Sequence, residues 1–163
     1  AVAAMRQAGV LGHILPGTDD RALAPLVHLE GTRSVSPLRR LAALGGENLQ
    51  DALRLSKAQA AHLAQIRQAA AASAGPAELG YRLGAETALD AMLLRAALME
   101  QPVSPGLETD IARGAAAKFP VQARDLLPRL KGPQLGRALK QLEAEWIASG
   151  FSRSREDLLH SLG

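Results

Sequence analysis

No stretch of this chain runs far before it is interrupted. Pro16-Gly17, Ser36-Pro37, Gly45-Gly46, Gly75-Pro76, the segment from Pro102 to Gly106 and Gly132-Pro133 cut it into pieces of helix length. Proline cannot donate the backbone hydrogen bond of a helix interior, and glycine readily adopts the conformation in which helices end, so each pair marks a start or a stop. The pieces between are built from Leu (28) and Ala (32), whereas Val, Ile and Thr together number 14. Strands favour β-branched residues and helices favour Leu and Ala, so the expected fold class is all-α. The segment lengths predict an irregular array of about eight to ten short and medium helices with no sheet. With only four aromatic residues, the helices must approach one another closely over small side chains.

A length of 163 residues suits one domain or two small helical lobes. Residues 1–102 read as a helical body region with a truncated start and residues 103–163 as a helical tail region, packed as one continuous unit or as two small lobes. The joint is expected at Pro102 to Gly106. The opening run "AVAAMRQAGVLGHIL" is apolar and helix-prone from its first residue, with neither a starting Met nor a cap, and predicts a piece of a longer protein. No apolar run approaches the roughly 20 residues of a membrane span and no signal-peptide pattern opens the chain, so no membrane partner is expected. The chain has no cysteine, which excludes disulfides, thiolate metal sites and a cysteine nucleophile and fits a cytoplasmic location.

Caps refine the boundaries. Thr18 or Asp19 is expected to cap "DRALAPLVHLE", Ser36 with Pro37 to open "LRRLAALGG", Ser56 with Gln59 to form a capping box, and Ser154 with Asp157 a box-like cap on "REDLLHSL". In "AELGYRLGAETALDAMLLRAALME" a short helix precedes a longer one whose apolar stripe is expected along Ala85, Leu89, Met92 or Leu93, and Ala96.

Several chemistries find no residues here. His13, His28, His62 and His160 are scattered without metal-ligand spacing, so no metal site is expected, and His62 reads as a surface or half-buried histidine. There is no glycine-rich nucleotide loop and no Asp-x-Asp that could share magnesium ions, so no catalytic residue is assigned. Asp51 with Arg54 and Asp110 with Arg113 have a spacing that could read a base edge, but read as ordinary ion pairs one helical turn apart.

The charge is unevenly spread. Residues 1–112 hold 10 Lys/Arg against 11 Asp/Glu, while residues 113–163 hold 9 against 5, so an anionic partner should meet the last third. There, Gly132 is the expected N-cap and Pro133 the first residue of an amphipathic helix. Leu135, Leu139, Leu142 and Trp146 form its apolar stripe, and Arg137, Lys140, Glu143 and Glu145 are left to solvent or a partner. A helix start with free N–H groups favours phosphate. Lys131 stands beside it, Arg137 and Lys140 extend the charge, and Arg124, Arg153 and Arg155 flank it. The expected phosphate-binding set is therefore Arg124, Lys131, Gly132, Arg137, Lys140, Arg153 and Arg155, with a solvated charged face on an ordinary helix as the alternative reading of the same charges.

The segment "FPVQARDLLPRLKGPQLGRALKQLEAEWIASGF" carries Asp125-Leu126-Leu127, then Gly132-Pro133-Gln134-Leu135-Gly136, then Trp146-Ile147-Ala148-Ser149-Gly150-Phe151. That ordered set resembles the C-terminal signature of the class II CCA-adding enzymes (tRNA nucleotidyltransferases) and bacterial poly(A) polymerases, in their alphaproteobacterial branch. Upstream, "AVAAMRQAGVLGHILP", "SPLRRLAAL" and "LRLSKAQAAHL" are similar to that family's successive body helices. The resemblance implies a parent enzyme that adds nucleotides to tRNA 3′ ends, using Mg and CTP/ATP in a catalytic head whose motifs are not in this chain. No cofactor is implied for this part, which on the resemblance alone would hold tRNA and be inactive. Arg124 departs from the pattern, in which glycine precedes Asp-Leu-Leu. The alternative reading is a helical protein–protein interaction module without nucleic-acid binding.

Overall fold

The computed structural model describes residues 1–127 and 129–162; Pro128 and Gly163, both within the expected tail region, lie outside the described residues. Among the described residues there are twelve α-helices and no strand, so the class is all-α with more and shorter helices than expected. The chain divides into two compact units, Ala1–Ala115 and Ala116–Gly163.

The first unit holds α1 (Val2–Gln7), α2 (Val10–Ile14), α3 (Leu23–Glu30), α4 (Pro37–Leu44), α5 (Leu49–Ala52), α6 (Lys57–Ala71), α7 (Pro76–Leu83), α8 (Ala85–Leu98) and nearly all of α9 (Leu107–Ala116). The opening apolar run is two helices, because Gly9 takes a φ of 72° and turns the chain between them. Ser36 accepts the Arg39 N–H at 3.2 Å, and Ser56 and Gln59 close a reciprocal capping box, as their spacing predicts. Thr18 and Asp19 do not cap α3, which starts after Ala22 without a side-chain cap. The Thr18 hydroxyl donates instead to the Leu15 carbonyl and Asp19 accepts from Arg21, local bonds that close the turn after α2.

Helix α8 is central, packing against α3, α4, α6 and α7. It buries Ala88, Asp90, Ala91, Leu93, Leu94 and Ala97. The expected stripe is corrected here: Leu93, one of the two residues offered at its third position, is buried, but Ala85 is exposed and Leu89, Met92 and Ala96 are half-buried. A single stripe presumes one neighbour, whereas a helix flanked on several sides buries more than one row. Leu26, Ile66 and Leu93 are fully enclosed in one cluster, and Ala69, Leu79, Ala88, Ala91, Leu107 and Ile111 form a second.

Helices α7 and α9 meet through glycine. A Cβ on Gly80 would stand 2.2 Å from the Ile111 carbonyl oxygen, and one on Gly114 only 1.8 Å from that of Ala77. This contact ties α9 to the first unit. The division of the chain therefore falls at 115/116, later than the Pro102–Gly106 joint the sequence suggests.

The first unit also encloses charge. Arg39, Glu30 and Asp90 are each 2% exposed. The Arg39 guanidinium donates to Glu30 Oε1 at 2.7 and 2.9 Å, to Asp90 Oδ1 at 2.6 Å and to the Ser34 carbonyl at 2.8 Å. Arg40 completes the group on Glu30 Oε2, and the Ser36 hydroxyl donates to Asp90 Oδ2. Each buried charge thus has an opposite charge beside it, and Arg39 and Asp90 each have a neutral partner as well, the condition under which desolvation is offset. Two further arginines close helix ends: Arg95 donates to the carbonyls of Ala69, Ala70 and Ala74 beyond and within the last turn of α6, and Arg67 to that of Gly45 after α4.

The second unit holds α10 (Ala123–Leu126), α11 (Gly132–Ala148) and α12 (Arg155–His160), with α11 packed on both others. Ala138, Leu142 and Trp146 of α11 are buried and Leu135 and Leu139 half-buried, so the expected stripe forms with Ala138 added. Trp146 is 3% exposed and lies between Phe119, at 5.5 Å between ring centroids, and Phe151, at 4.9 Å edge-on. Such tilted and edge-to-face pairs add to the apolar burial. Ser154 and Asp157 form the expected capping box on α12.

Candidate nucleic-acid interface

Residues 1–115 carry 11 Lys/Arg and 11 Asp/Glu, and residues 116–163 carry 8 against 5, so the whole +3 of the chain resides in the second unit. Pairing deepens the contrast. In the first unit Arg6, Arg21, Arg33, Arg39, Arg40, Arg82 and Arg113 are held by carboxylates, and Arg67 and Arg95 by carbonyls.

In the second unit the structure sorts the expected set. Arg124 lies on α10, and Arg137 and Lys140 lie on α11; all three are exposed, as is Lys131 at the N-cap position just before α11. Among the described residues these four cations make no ion pair with a carboxylate, whereas Arg153 and Arg155 each do. Gly132 is the first residue of α11 rather than its cap, one position from the expected assignment, and has a φ of 54°. No side chain caps this helix start, and Gly132, Pro133 and Gln134 are exposed, so its first N–H groups face water. Arg124 fits α10 without a glycine, since its backbone is helical there.

Arg153 and Arg155 differ from the other four. Arg155 Nη2 donates to Asp125 Oδ1 at 2.8 Å, and Arg153 Nη1 to Glu145 Oε2 at 2.9 Å. The Arg155 bond, with the Gln122 backbone N–H at 2.8 Å, holds the Asp125 carboxyl at about 2, well below the usual range. Hydrogen bonds from Gln141 and Ser161, with the Arg153 charge, hold Glu145 below its ordinary value, and Asp125 in turn raises Arg155. Asp125 and Glu145 are the two site residues that sequence reasoning missed as partners. Their signal in the sequence was a capping spacing to Gln122 for Asp125 and, for Glu145, a place on α11 outside the apolar stripe.

A separate cleft of about 440 Å³ opens in the first unit between α4, α6 and α8, floored by Leu38, Leu41, Leu55 and Leu89 with Arg39 and Asp90 deep in its wall. The polar groups of that wall already bond one another. His62 at its side is half-buried and 3.3 Å from the Thr87 hydroxyl, the ordinary role expected of it. Asp110 and Arg113 form a plain ion pair at 3.0 Å, and Arg54 leaves α5 at a φ of 51°, off the helical turn that the Asp51 spacing assumed. Among the described residues no group of three or more His, Asp or Glu side chains is placed to hold a metal ion.

Fold and surface together define an all-helical protein in two units, the second of which holds four exposed cations in no ion pair among the described residues, on α10, just before α11 and along α11. Comparison with protein-family models, curated proteins and solved structures found no match to this chain.

Proposed function

We propose that this chain is the tRNA-binding C-terminal part of a cytoplasmic enzyme of the tRNA nucleotidyltransferase (CCA-adding) and poly(A) polymerase family, and that its second unit grips the phosphate backbone of tRNA. The observation that carries the reading is the partition of charge: in the first unit nearly every arginine is held by a protein group, while Arg124, Lys131, Arg137 and Lys140 are exposed and in no ion pair among the described residues, Lys131 standing directly before a helix start that no side chain caps. Such an array binds phosphates without reading bases, which suits a partner that must accept every tRNA. The aromatic residues agree, since Trp146 is buried and Tyr81, Phe119 and Phe151 are half-buried, whereas sequence-tolerant stacking needs exposed rings. The chain has no Asp-x-Asp and no glycine-rich loop, so nucleotidyl transfer with Mg and CTP/ATP belongs, on this reading, to a head outside these residues, and no step of it is assigned here.

Reversal of three charges, Lys131→Glu, Arg137→Glu and Lys140→Glu, tests the reading by titration of the full chain with a tRNA transcript at several salt concentrations. Binding should weaken, and the slope of log K against log salt should flatten by roughly 0.7–0.9 for each lost phosphate contact. An unchanged slope overturns it. A helical protein-interaction module is the second reading, favoured by Leu98 and Met99, both 58% exposed at the end of α8. It takes precedence if the full chain binds tRNA no better than a neutral helical protein does.

A further inference from the structure

Two carboxylates of the second unit, Asp125 and Glu145, each hold an arginine of the expected phosphate-binding set. Asp125 is 9% exposed at its side chain while Arg155 is 50% exposed, and Glu145 is 29% exposed against 44% for Arg153. Neither acid depends on its arginine alone for its position. Asp125 Oδ2 also accepts the Gln122 N–H at 2.8 Å, and Glu145 accepts the Gln141 amide at 3.1 Å and the Ser161 hydroxyl at 2.9 Å. A carboxylate anchored by neutral donors stays in place, and stays charged, when its arginine turns elsewhere.

We propose that Asp125 and Glu145 restrain the phosphate affinity of the second unit: by occupying Arg155 and Arg153 they cancel those charges, so that backbone binding rests on Arg124, Lys131, Arg137 and Lys140. The inference rests on the RNA-binding reading above and alters the set of contacts the sequence suggested, which counted Arg153 and Arg155 as binders. An ion pair carries no net charge and releases no counterion when a phosphate approaches, so it adds nothing to the salt-dependent part of binding. A phosphate that takes Arg155 away from Asp125 must then sit beside an unpaired carboxylate, and that repulsion opposes the gain. A phosphate that takes Arg153 meets Glu145 in the same way. Both acids hold a sequence-blind surface to an affinity from which tRNA is readily released.

The test titrates a labelled tRNA transcript with the full chain between roughly 50 and 200 mM salt. Asp125→Asn and, separately, Glu145→Gln should each raise affinity, by roughly three- to ten-fold at about 50 mM salt, and steepen the slope by about 0.7–0.9. The charge-neutral double variant Asp125→Asn with Arg155→Gln should keep the native slope and affinity. Circular dichroism melts accompany each variant, and a loss of fold in Asp125→Asn leaves Glu145→Gln to decide. If the single variants unfold earlier but bind with unchanged slope, the acids are caps alone and the proposal is overturned. It is overturned equally if the double variant binds more weakly, since Arg155 would then contact phosphate through its pair. Native chain that fails to bind tRNA at all would refute the RNA-binding reading itself, whereas binding lost in the triple charge reversal but unmoved by these variants would refute the restraint only.

Discussion

Arg39 shows what a single residue decides. Its guanidinium is enclosed with two carboxylates from different helices and is the cation that joins them. Arg39→Met, which keeps volume and removes charge, should leave Asp90 buried without its cation and Glu30 with Arg40 alone. The expected loss in a urea titration is on the order of 3–5 kcal/mol, and a loss below about 1 kcal/mol would mean that the cluster is stabilised by its neutral donors. The group also has an acid limit. Burial pushes Glu30 up, but hydrogen bonds from Arg40 and Arg39 outweigh it and hold the carboxyl below its ordinary value. A lowered folded value means that this contribution is complete above the unfolded pKa and is lost as pH falls through the folded one. In the sequence only Asp90 hinted at the cluster, as a lone acid in the apolar run "ALDAMLL". Nothing local marks Arg39 and Arg40 as its members, because their carboxylate partners lie 9 to 51 residues away along the chain.

Among the elements, two helical glycines with the same propensity have opposite reasons to exist. Gly114 of α9 faces the Ala77 carbonyl so closely that any Cβ must push α7 and α9 apart, whereas Gly136 of α11 has nothing within 4 Å of the position its Cβ would take. Gly114→Ala should therefore destabilise the chain by about 1–3 kcal/mol or more through overpacking. Gly136→Ala should stabilise it by roughly 0.5–1 kcal/mol, because glycine in an exposed helix interior costs that much relative to alanine. Thermal melts of the two variants should move in opposite directions; a common sign would contradict the packing of α7 on α9. Helix starts at Ser36, Ser56 and Ser154 were legible because a cap is a bond between neighbours in sequence. The buried face of α8 was not, because it depends on how many helices surround it.

In the whole molecule, charge and division coincide: the boundary that separates the two compact units also separates a neutral chain from a basic one. Lys118 is exposed in the non-helical segment that follows α9, ahead of the buried Val121 and of Phe119, whose ring packs on Trp146. Limited trypsin treatment should cut after Lys118 before it cuts within the helices of either unit, leaving two protected fragments by mass spectrometry. First cleavage near Arg95 or Arg113 would instead place the weak point in α8 or α9. The amino-acid sequence by itself determined the helical class, the helix breaks, most caps and the cation surplus of the last third, because propensity, capping and charge count are local properties. Tertiary structure alone decided that α8 is central, that α9 belongs with α7, and that Arg153 and Arg155 are paired while Arg137 and Lys140 are not. Those outcomes depend on residues far apart in the chain meeting at a few ångströms, which no local pattern encodes.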